Sequence, residues 1–336
     1  MDKVAVVILN WNGRAFLEKF LPSVITHSSS ASIVVADNNS TDDSVDFLKK
    51  NYPALRIIEI AENGGYSKGY NIALRQIEAE YYVLLNSDIE VSPQWLEPVL
   101  RLMDKDTSIA ACQPKLLDYN NRELFEYAGG AGGYLDWLGY PFCRGRLFNT
   151  LEKDHGQYDD NHEIFWATGA CMFVRASDFH AVDGLDDDFF AHLEEIDLCW
   201  RLKSRGKKIY CCSESKVYHV GGGTLNKINP RKTYLNFRNS LYMLYKNLTP
   251  GRLFLLISAR LVLDGVAGIK FLLEGSGKHT LAVIKAHFSF YGALGSLRKK
   301  RKANILSDLD FKEVYKGSIV LDYFLKKKTS FDRLKF

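Results

Sequence analysis

Val34-Val35-Ala36-Asp37-Asn38-Asn39-Ser40-Thr41-Asp42 is a short apolar run that turns abruptly polar and acidic. Two other segments repeat that change: Leu84-Leu85-Asn86-Ser87-Asp88, and His192-Leu193-Glu194-Glu195-Ile196-Asp197. Carboxylates placed just past the carboxyl ends of apolar strands meet in one crevice of an open α/β sheet. The flanking sequence supports such a sheet. Residues 4–9 read as a buried parallel strand, and a turn at Asn12-Gly13 leads to a helix with Phe16, Leu17, Phe20, Leu21 and Val24 on one face. Ile33–Ala36, Leu55–Ile60 and Tyr81–Leu85 are further strands. Helices are expected from Asp42-Asp43 onward and over Lys68–Ala79. Strand and helix alternate with short connections, which predicts an α/β, Rossmann-like, mostly parallel sheet with helices on both faces.

Residues 118–163 interrupt the rhythm with Gly129-Gly130, Gly132-Gly133, Gly139 and Gly145. They read as an excursion carrying a hairpin and a mobile loop near the site. Strands at Cys171–Val174 and Ile209–Cys212 flank a helix over Leu193–Arg205, with Gly206 at its carboxyl end. The division expected is a catalytic domain over 1–245 and a helical, basic extension over 246–336.

Charge separates the same two regions. Residues 246–336 hold 18 Lys and Arg against 7 Asp and Glu, a balance of +11, which leaves 26 against 33 in residues 1–245. A basic tail on an acidic body attracts anionic surfaces. The six cysteines have no C-x-x-C spacing and read as reduced thiols of a cytosolic protein. No secretory signal is legible at residues 4–9. No G-x-G-x-x-G follows the first strand, which excludes a nicotinamide dehydrogenase. The acidic body disfavours nucleic acid as a partner.

Each candidate site residue has a functional and a structural reading. Asp37 can accept a hydrogen bond from a pyrimidine imide, or belong to a turn in which Ser40 and Asp42 cap the next helix. Asn63-Gly64-Gly65 and Gly69-Tyr70-Asn71 make a glycine-rich entry to a helix, suited to an anion or simply a loop. Asp88, with Asn86 beside it, suits a hard divalent cation or a turn. Glu194 and Glu195 suit a general base or the helix dipole, while Asp197 can pair with Arg201. His219 ends a strand before Gly221-Gly222-Gly223 and is either a metal ligand or a core histidine. The run His155, Asp159, Asp160, His162 and Glu163 reads as a solvated loop.

The motifs together resemble the family 2 inverting glycosyltransferases of the GT-A fold, near the bacterial rhamnosyltransferase-like branch. The matching stretches, in order, are VAVVILNWNG, VADNNSTDDS, ENGGYSKGYNIAL, YYVLLNSD, FWATGACMFVRAS, FFAHLEEIDLCWRLKSRG and VYHVGGGT, across roughly residues 3–245. The resemblance implies that Asp37 contacts the uracil or thymine of a nucleotide-diphosphate sugar, of dTDP-rhamnose or UDP-hexose type, beside Asn10. It implies that Asn63, Gly65, Gly69 and Asn71 line the donor pocket, and that Trp166, Gly169 and Ala170 shape the sugar and acceptor side. Asp88 and His219 would hold Mg²⁺ or Mn²⁺, and Glu195 or Glu194 would be the base. The usual D-x-D is reduced here to Asn86-Ser87-Asp88, and the base position carries glutamate. The acceptor implied is a saccharide or lipid-linked saccharide of cell-surface polysaccharide; the alternative is a non-catalytic scaffold of the same fold.

Residues 251–275 place Arg252, Arg260, Asp264, Lys270 and Glu274 within about a third of a helical wheel. Their longest uncharged run, Leu253–Ala259, is too short to span a bilayer. Such a helix lies on a membrane or packs on the body with its charged face solvated. Arg298-Lys299-Lys300-Arg301-Lys302 and Lys326-Lys327-Lys328 fit an anionic leaflet. The location expected is cytoplasmic, at the inner face of the cytoplasmic membrane.

Overall fold

The computed structural model describes residues 2–221 and 229–336; Gly222, Gly223 and Thr224 of the last motif lie outside the described residues. β1 (Asp2–Asn10), α1 (Arg14–His27), β2 (Ser32–Asp37), α2 (Ser44–Asn51), β3 (Arg56–Glu59), α3 (Gly65–Leu74) and β4 (Ala79–Asn86) alternate as expected. β1 pairs in parallel with β2 and with β4, and β2 with β3. Val4, Val6 and Ile8 pack on one face of the sheet with Leu17 and Leu21 of α1, whereas Ala5 and Val7 pack on the other with Tyr70 and Leu74 of α3. This strand therefore needs apolar residues at every position, which is why it reads as an unbroken run. The third helix begins at Gly65 and ends at Leu74, earlier at both ends than expected, because Ala79 already belongs to β4.

β5 (Ile89–Val91), α4 (Leu96–Lys105) and β6 (Ile109–Asp118) carry the sheet onward. β7 (Gly133–Asp136), β8 (Pro141–Cys143), β9 (Arg146–Leu147) and β10 (Thr150–Leu151) build a second, smaller sheet from the glycine-rich stretch. Here the expected mobile loop gives way to packed structure. A side chain at Gly133 would stand 2.0 Å from the Trp166 ring, so only glycine lets that strand pass the indole. The polar run after it is not merely solvated. Asp154 and Asp159 neutralise the fully buried Lys115, Asp160 pairs with the buried Arg144, and Glu163 pairs with Lys203.

β11 (His162–Ile164), β12 (Cys171–Arg175), α5 (Ala176–Ala181), α6 (Glu194–Lys203) and β13 (Lys208–His219) complete the main sheet. Its order is β11-β13-β6-β12-β4-β1-β2-β3, with β5 added on β13. β12 runs antiparallel to both β4 and β6. Ile209–Cys212 and the segment ending at His219 are one strand with an irregularity between Cys212 and Lys216.

α7 (Pro230–Asn247), α8 (Pro250–Leu273), α9 (Gly277–Ala303), β14 (Val314–Tyr315) and α10 (Ile319–Phe324) follow. The boundary expected at residue 245 falls inside α7. β14 joins β7 in the smaller sheet, so the carboxyl-terminal region is woven into the body. The strongest tie is ionic. Asp197 of α6 is fully buried; it accepts from Arg201 at 2.9 Å, Lys246 at 3.0 Å and Asn247 at 2.9 Å. Removing one partner of a buried ion pair strands the others, at about 3–5 kcal/mol. Asp197→Ala is therefore expected to lower the free energy of urea unfolding by about that amount, whereas a loss below about 1 kcal/mol would show the network to be solvated.

Candidate active site

The register of the sheet sets the crevice. Asn10 at the end of β1 stands opposite Asp37 at the end of β2, and Leu9 opposite Asn86 at the end of β4. Asn10 donates through Nδ2 to Asp37 Oδ1 at 2.9 Å and to Ser40 Oγ at 3.1 Å. Ser40 donates to Asp37 through both its backbone N–H and its hydroxyl, and its Oγ accepts from the Asn12 N–H. Ser40 thus closes the Asp37 turn and does not cap α2; Asp42 accepts the Ser44 N–H. The Asp37 carboxylate is buried; Oδ1 is filled by Asn10 and Ser40, whereas Oδ2, holding the Ser40 N–H alone, keeps acceptor capacity for one more donor.

The glycine-rich entry to α3 is spoken for. Asn38 donates to Asn63 Oδ1 and to the Gly65 carbonyl, and the N–H groups of Tyr66 and Ser67 both point at the Phe190 carbonyl. The helix start therefore holds a protein carbonyl where an anion was expected. Gly65 has φ +78°, and a Cβ there would lie 2.3 Å from that same oxygen. Gly69 lies against Leu9, and Asn71 spends its amide on the Leu185 backbone and Asp187. Asn71 thereby fastens the segment at Leu185 and Asp187 to α3. Trp166 is buried against Gly133 and donates to the Tyr134 carbonyl, whereas Gly169 abuts the Tyr66 ring and Ala170 accepts the Asn86 N–H.

Asp88 and His219 do meet. β13 pairs with β5, so His219 faces Ile89, and its Nε2 lies 3.1 Å from Asp88 Oδ1. On its other side Nδ1 lies 3.2 Å from Glu126 Oε1, and Asn86 Nδ2 is 3.5 Å from Nε2. Burial disfavours the imidazolium, but the Glu126 and Asp88 carboxylates outweigh it and lift His219 to about 10. Burial likewise pushes Asp88 up, and the His219 charge brings it below its ordinary value. Nothing in the sequence around Glu126 marked it; only the fold brings it to the histidine.

Glu194 and Glu195 open α6 and differ in setting. Burial holds Glu194 protonated, its carboxyl raised well above the usual range with Glu195 adding to the effect. Glu195 keeps part of its surface accessible, and burial raises it only to about 7, against backbone N–H groups that lower it. An oxygen of each carboxyl has no protein partner. Burial raises the Cys143 thiol, Arg146 lowers it, and the charges of Glu126 and Glu195 raise it further. The approach to α6 is strained: Phe190, His192 and Leu193 all have φ between 65° and 72°, which costs about 1–3 kcal/mol each. Asn239 of α7 holds that turn by donating to the carbonyls of Phe189, Ala191 and His192. It was missed at the sequence level, because no local pattern marks it and only the fold brings it to the turn.

An open α/β sheet with polar ends of β1, β2 and β4 in one crevice, extended by antiparallel β12, has the architecture of a GT-A glycosyltransferase. The profile described as Glycosyl transferase family 2 matches residues 5–182, and the chain belongs to that family. It is 24% identical over 241 residues to the N-acetylglucosaminyl-diphospho-decaprenol L-rhamnosyltransferase of Mycobacterium tuberculosis, covering 66% of this chain and 78% of that protein. It is 26% identical over 216 residues to the rhamnosyltransferase WbbL of Escherichia coli, covering 62% and 79%. Among solved structures, GalNAc-T7 with UDP, GalNAc and Mn²⁺ superposes with a TM-score of 0.59 at 16% identity, over 74% of this chain and 49% of that one. The protein is a glycosyltransferase.

The His219 shift carries a sign. Its proton is held more tightly folded than unfolded, so the stability it contributes is full below about pH 6.5 and is lost as pH rises through about 10. In metal-free protein, the gap in urea midpoint between wild type and His219→Gln is expected to be widest at pH 6 and to close toward pH 10. A gap that stays constant over that range would place the proton elsewhere.

Proposed function

We propose that this glycosyltransferase moves a sugar, with inversion, from a nucleotide-diphosphate sugar to a saccharide or lipid-linked saccharide acceptor at a membrane surface. The observation that carries the reading is the meeting of Asp88 with His219 at 3.1 Å, in a fold whose α6 opens on a glutamate that burial raises to about 7. Rhamnosyltransferase relatives support dTDP-rhamnose, with UDP-hexoses as the other donor class. Asp37, with Asn10 aligned by Ser40, reads the base, and Asn63 and Gly65 shape the pocket wall beside it. Asn86, Gly169 and Ala170 border the sugar.

The residues fit a divalent ion. An imidazole nitrogen and a carboxylate oxygen 3.1 Å apart have about the spacing of adjacent ligands on an octahedral Mg²⁺, each about 2.1 Å from it. Among the described residues no three His, Cys, Asp or Glu side chains are arranged to hold a metal alone, which leaves coordination positions for diphosphate oxygens. GalNAc-T7 was seen with Mn²⁺ and UDP, which supports Mn²⁺ or Mg²⁺ here. Such an ion, on Asp88 and His219, supplies charge stabilisation to a leaving diphosphate. Glu126 fixes the His219 ring from its far side.

Glu195 takes the proton of the acceptor hydroxyl as that oxygen attacks the anomeric carbon from the face opposite the nucleotide. Its setting keeps it ionised above about pH 7, while burial and the neighbouring Glu195 raise Glu194 further and favour its neutral form. A positioned base is worth about 10²–10⁴-fold. Glu195→Gln is expected to cut kcat by that factor while nucleotide-sugar binding, followed by calorimetry, stays within about threefold. The wild-type rate should rise with pH along a limb that inflects near 7. Loss of turnover in Glu194→Gln alone, with Glu195→Gln active, would reverse the two roles.

A further inference from the structure

We propose that the outward face of the α8–α9 pair seats in the plane of a bilayer whose surface carries anionic phospholipid. α8 is amphipathic in the reverse of the usual sense, with its central charges inward. The residues α8 turns inward are Leu256, Arg260, Asp264 and Gly268, spaced one turn apart. Arg260 and Asp264 are almost wholly buried. Arg260 donates to the Leu138 carbonyl at 3.1 Å and to Ser240 Oγ at 2.7 Å, and it lies 3.7 Å over the Tyr140 ring. Asp264 stands 3.4 Å from His287 of α9. The charged centre of this helix is thus spent inside the protein, which overturns the reading of a solvated charged face.

What α8 shows outward is apolar. Phe254 and Leu273 are each 83% exposed, and Val262, Val266, Ile269 and Leu272 lie between them with most of their surface bare. On α9, Leu281, Ile284, Phe288 and Tyr291 continue the face at helical spacing. Of the 19 large hydrophobic residues exposed among the described residues, 11 lie between 254 and 291. Between the two helices a groove of about 510 Å³ runs past Val262, Val266, Ile269, Val283 and Ile284. A contiguous exposed apolar face of this size marks a surface that meets something apolar.

Charge selects the occupant. Lys278 and Lys285 stand exposed on α9, which ends in the exposed Arg298, Lys299 and Lys302; Lys300 and Arg301 between them turn inward to Asp186 and Tyr245, and on α8 the exposed Lys270 pairs with Glu274. Lys270 also lies 5.4 Å from the ring of Phe324, bringing α10 and the exposed Leu325, Lys326 and Lys327 to the same edge. A second copy would set these cations against one another, whereas anionic headgroups neutralise them while acyl chains receive the apolar stripe. No helix among the described residues is long and apolar enough to cross a membrane, so the pair lies in the interface. This seat deepens the proposed function, resting on it for the lipid-linked acceptor alone; its physical basis is α8 and α9.

The test is flotation of the full chain with phosphatidylcholine vesicles, with and without phosphatidylglycerol. Binding is expected on the anionic vesicles, with at least about a tenfold loss when phosphatidylglycerol is omitted or salt is raised to screen the lysines. The double variant Phe254→Asp with Phe288→Asp should lose flotation and keep the wild-type melting temperature, since both side chains face outward. Wild-type protein that stays unbound on anionic vesicles, or a double variant that floats normally, overturns the proposal. So does concentration-dependent dimerisation in sedimentation that the same variant abolishes without any vesicle binding. Donor hydrolysis measured in parallel without lipid reports separately on the transferase reading.

Discussion

One buried carboxylate joins the chemistry to the architecture. Asp197 lies in the first turn of α6, two residues past Glu195, and its oxygens are shared by Arg201, Lys246 and Asn247. Lys246 also meets Asp186, which Lys300 of α9 meets from the other side. Burial pushes Asp186 up, but these two ammonium groups hold it below the carboxylate range. The helix that carries Glu194 and Glu195 is therefore clamped to α7 and α9 by charges that have nowhere else to go. Asn239 and Arg238 add hydrogen bonds to the strained turn just before it. Backbone strain persists only where surrounding contacts over-determine it, and here they come from the carboxyl-terminal helices.

The two acids of α6 show how position sorts identical side chains. Both sit at a helix start, where the dipole favours their ionised forms. Deep burial keeps Glu194 neutral, and partial access leaves Glu195 near 7. The same logic runs in reverse at His219. Two carboxylates, Asp88 and Glu126, grip its ring from opposite nitrogens and keep it charged in the protein alone. The two carboxylates thus make this point of the fold favourable to positive charge.

The glycine-rich entry to α3 illustrates a contest that composition cannot decide. Backbone N–H groups at a helix start serve any acceptor. In this protein the Phe190 carbonyl takes them, because Gly65 lets that segment approach within contact distance. The loop that carries Phe190 then leads directly to His192, Leu193 and the α6 acids. One glycine thus couples the start of α3 to the segment that leads into α6.

The order of β1 to β4, and the apolar runs behind it, were legible because a strand covered on both faces must be apolar at every position. The placement of Asp37, Asp88 and His219 at or just past strand ends was legible because an apolar run that turns polar marks where a strand stops. The pairing of Asp197 with Arg201 followed from helical spacing alone. Glu126 and Asn239 were silent, since their partners lie far along the chain and no local pattern announces a contact across the fold. The glycine-rich stretch misled because glycine permits both a mobile loop and a strand pressed against an indole, and only the position of Trp166 decides which. In α8 the wheel identified a charged arc and an apolar one. Which arc turned inward was left to Leu138, Ser240, Tyr140 and His287, whose polar and aromatic groups could satisfy Arg260 and Asp264 away from water.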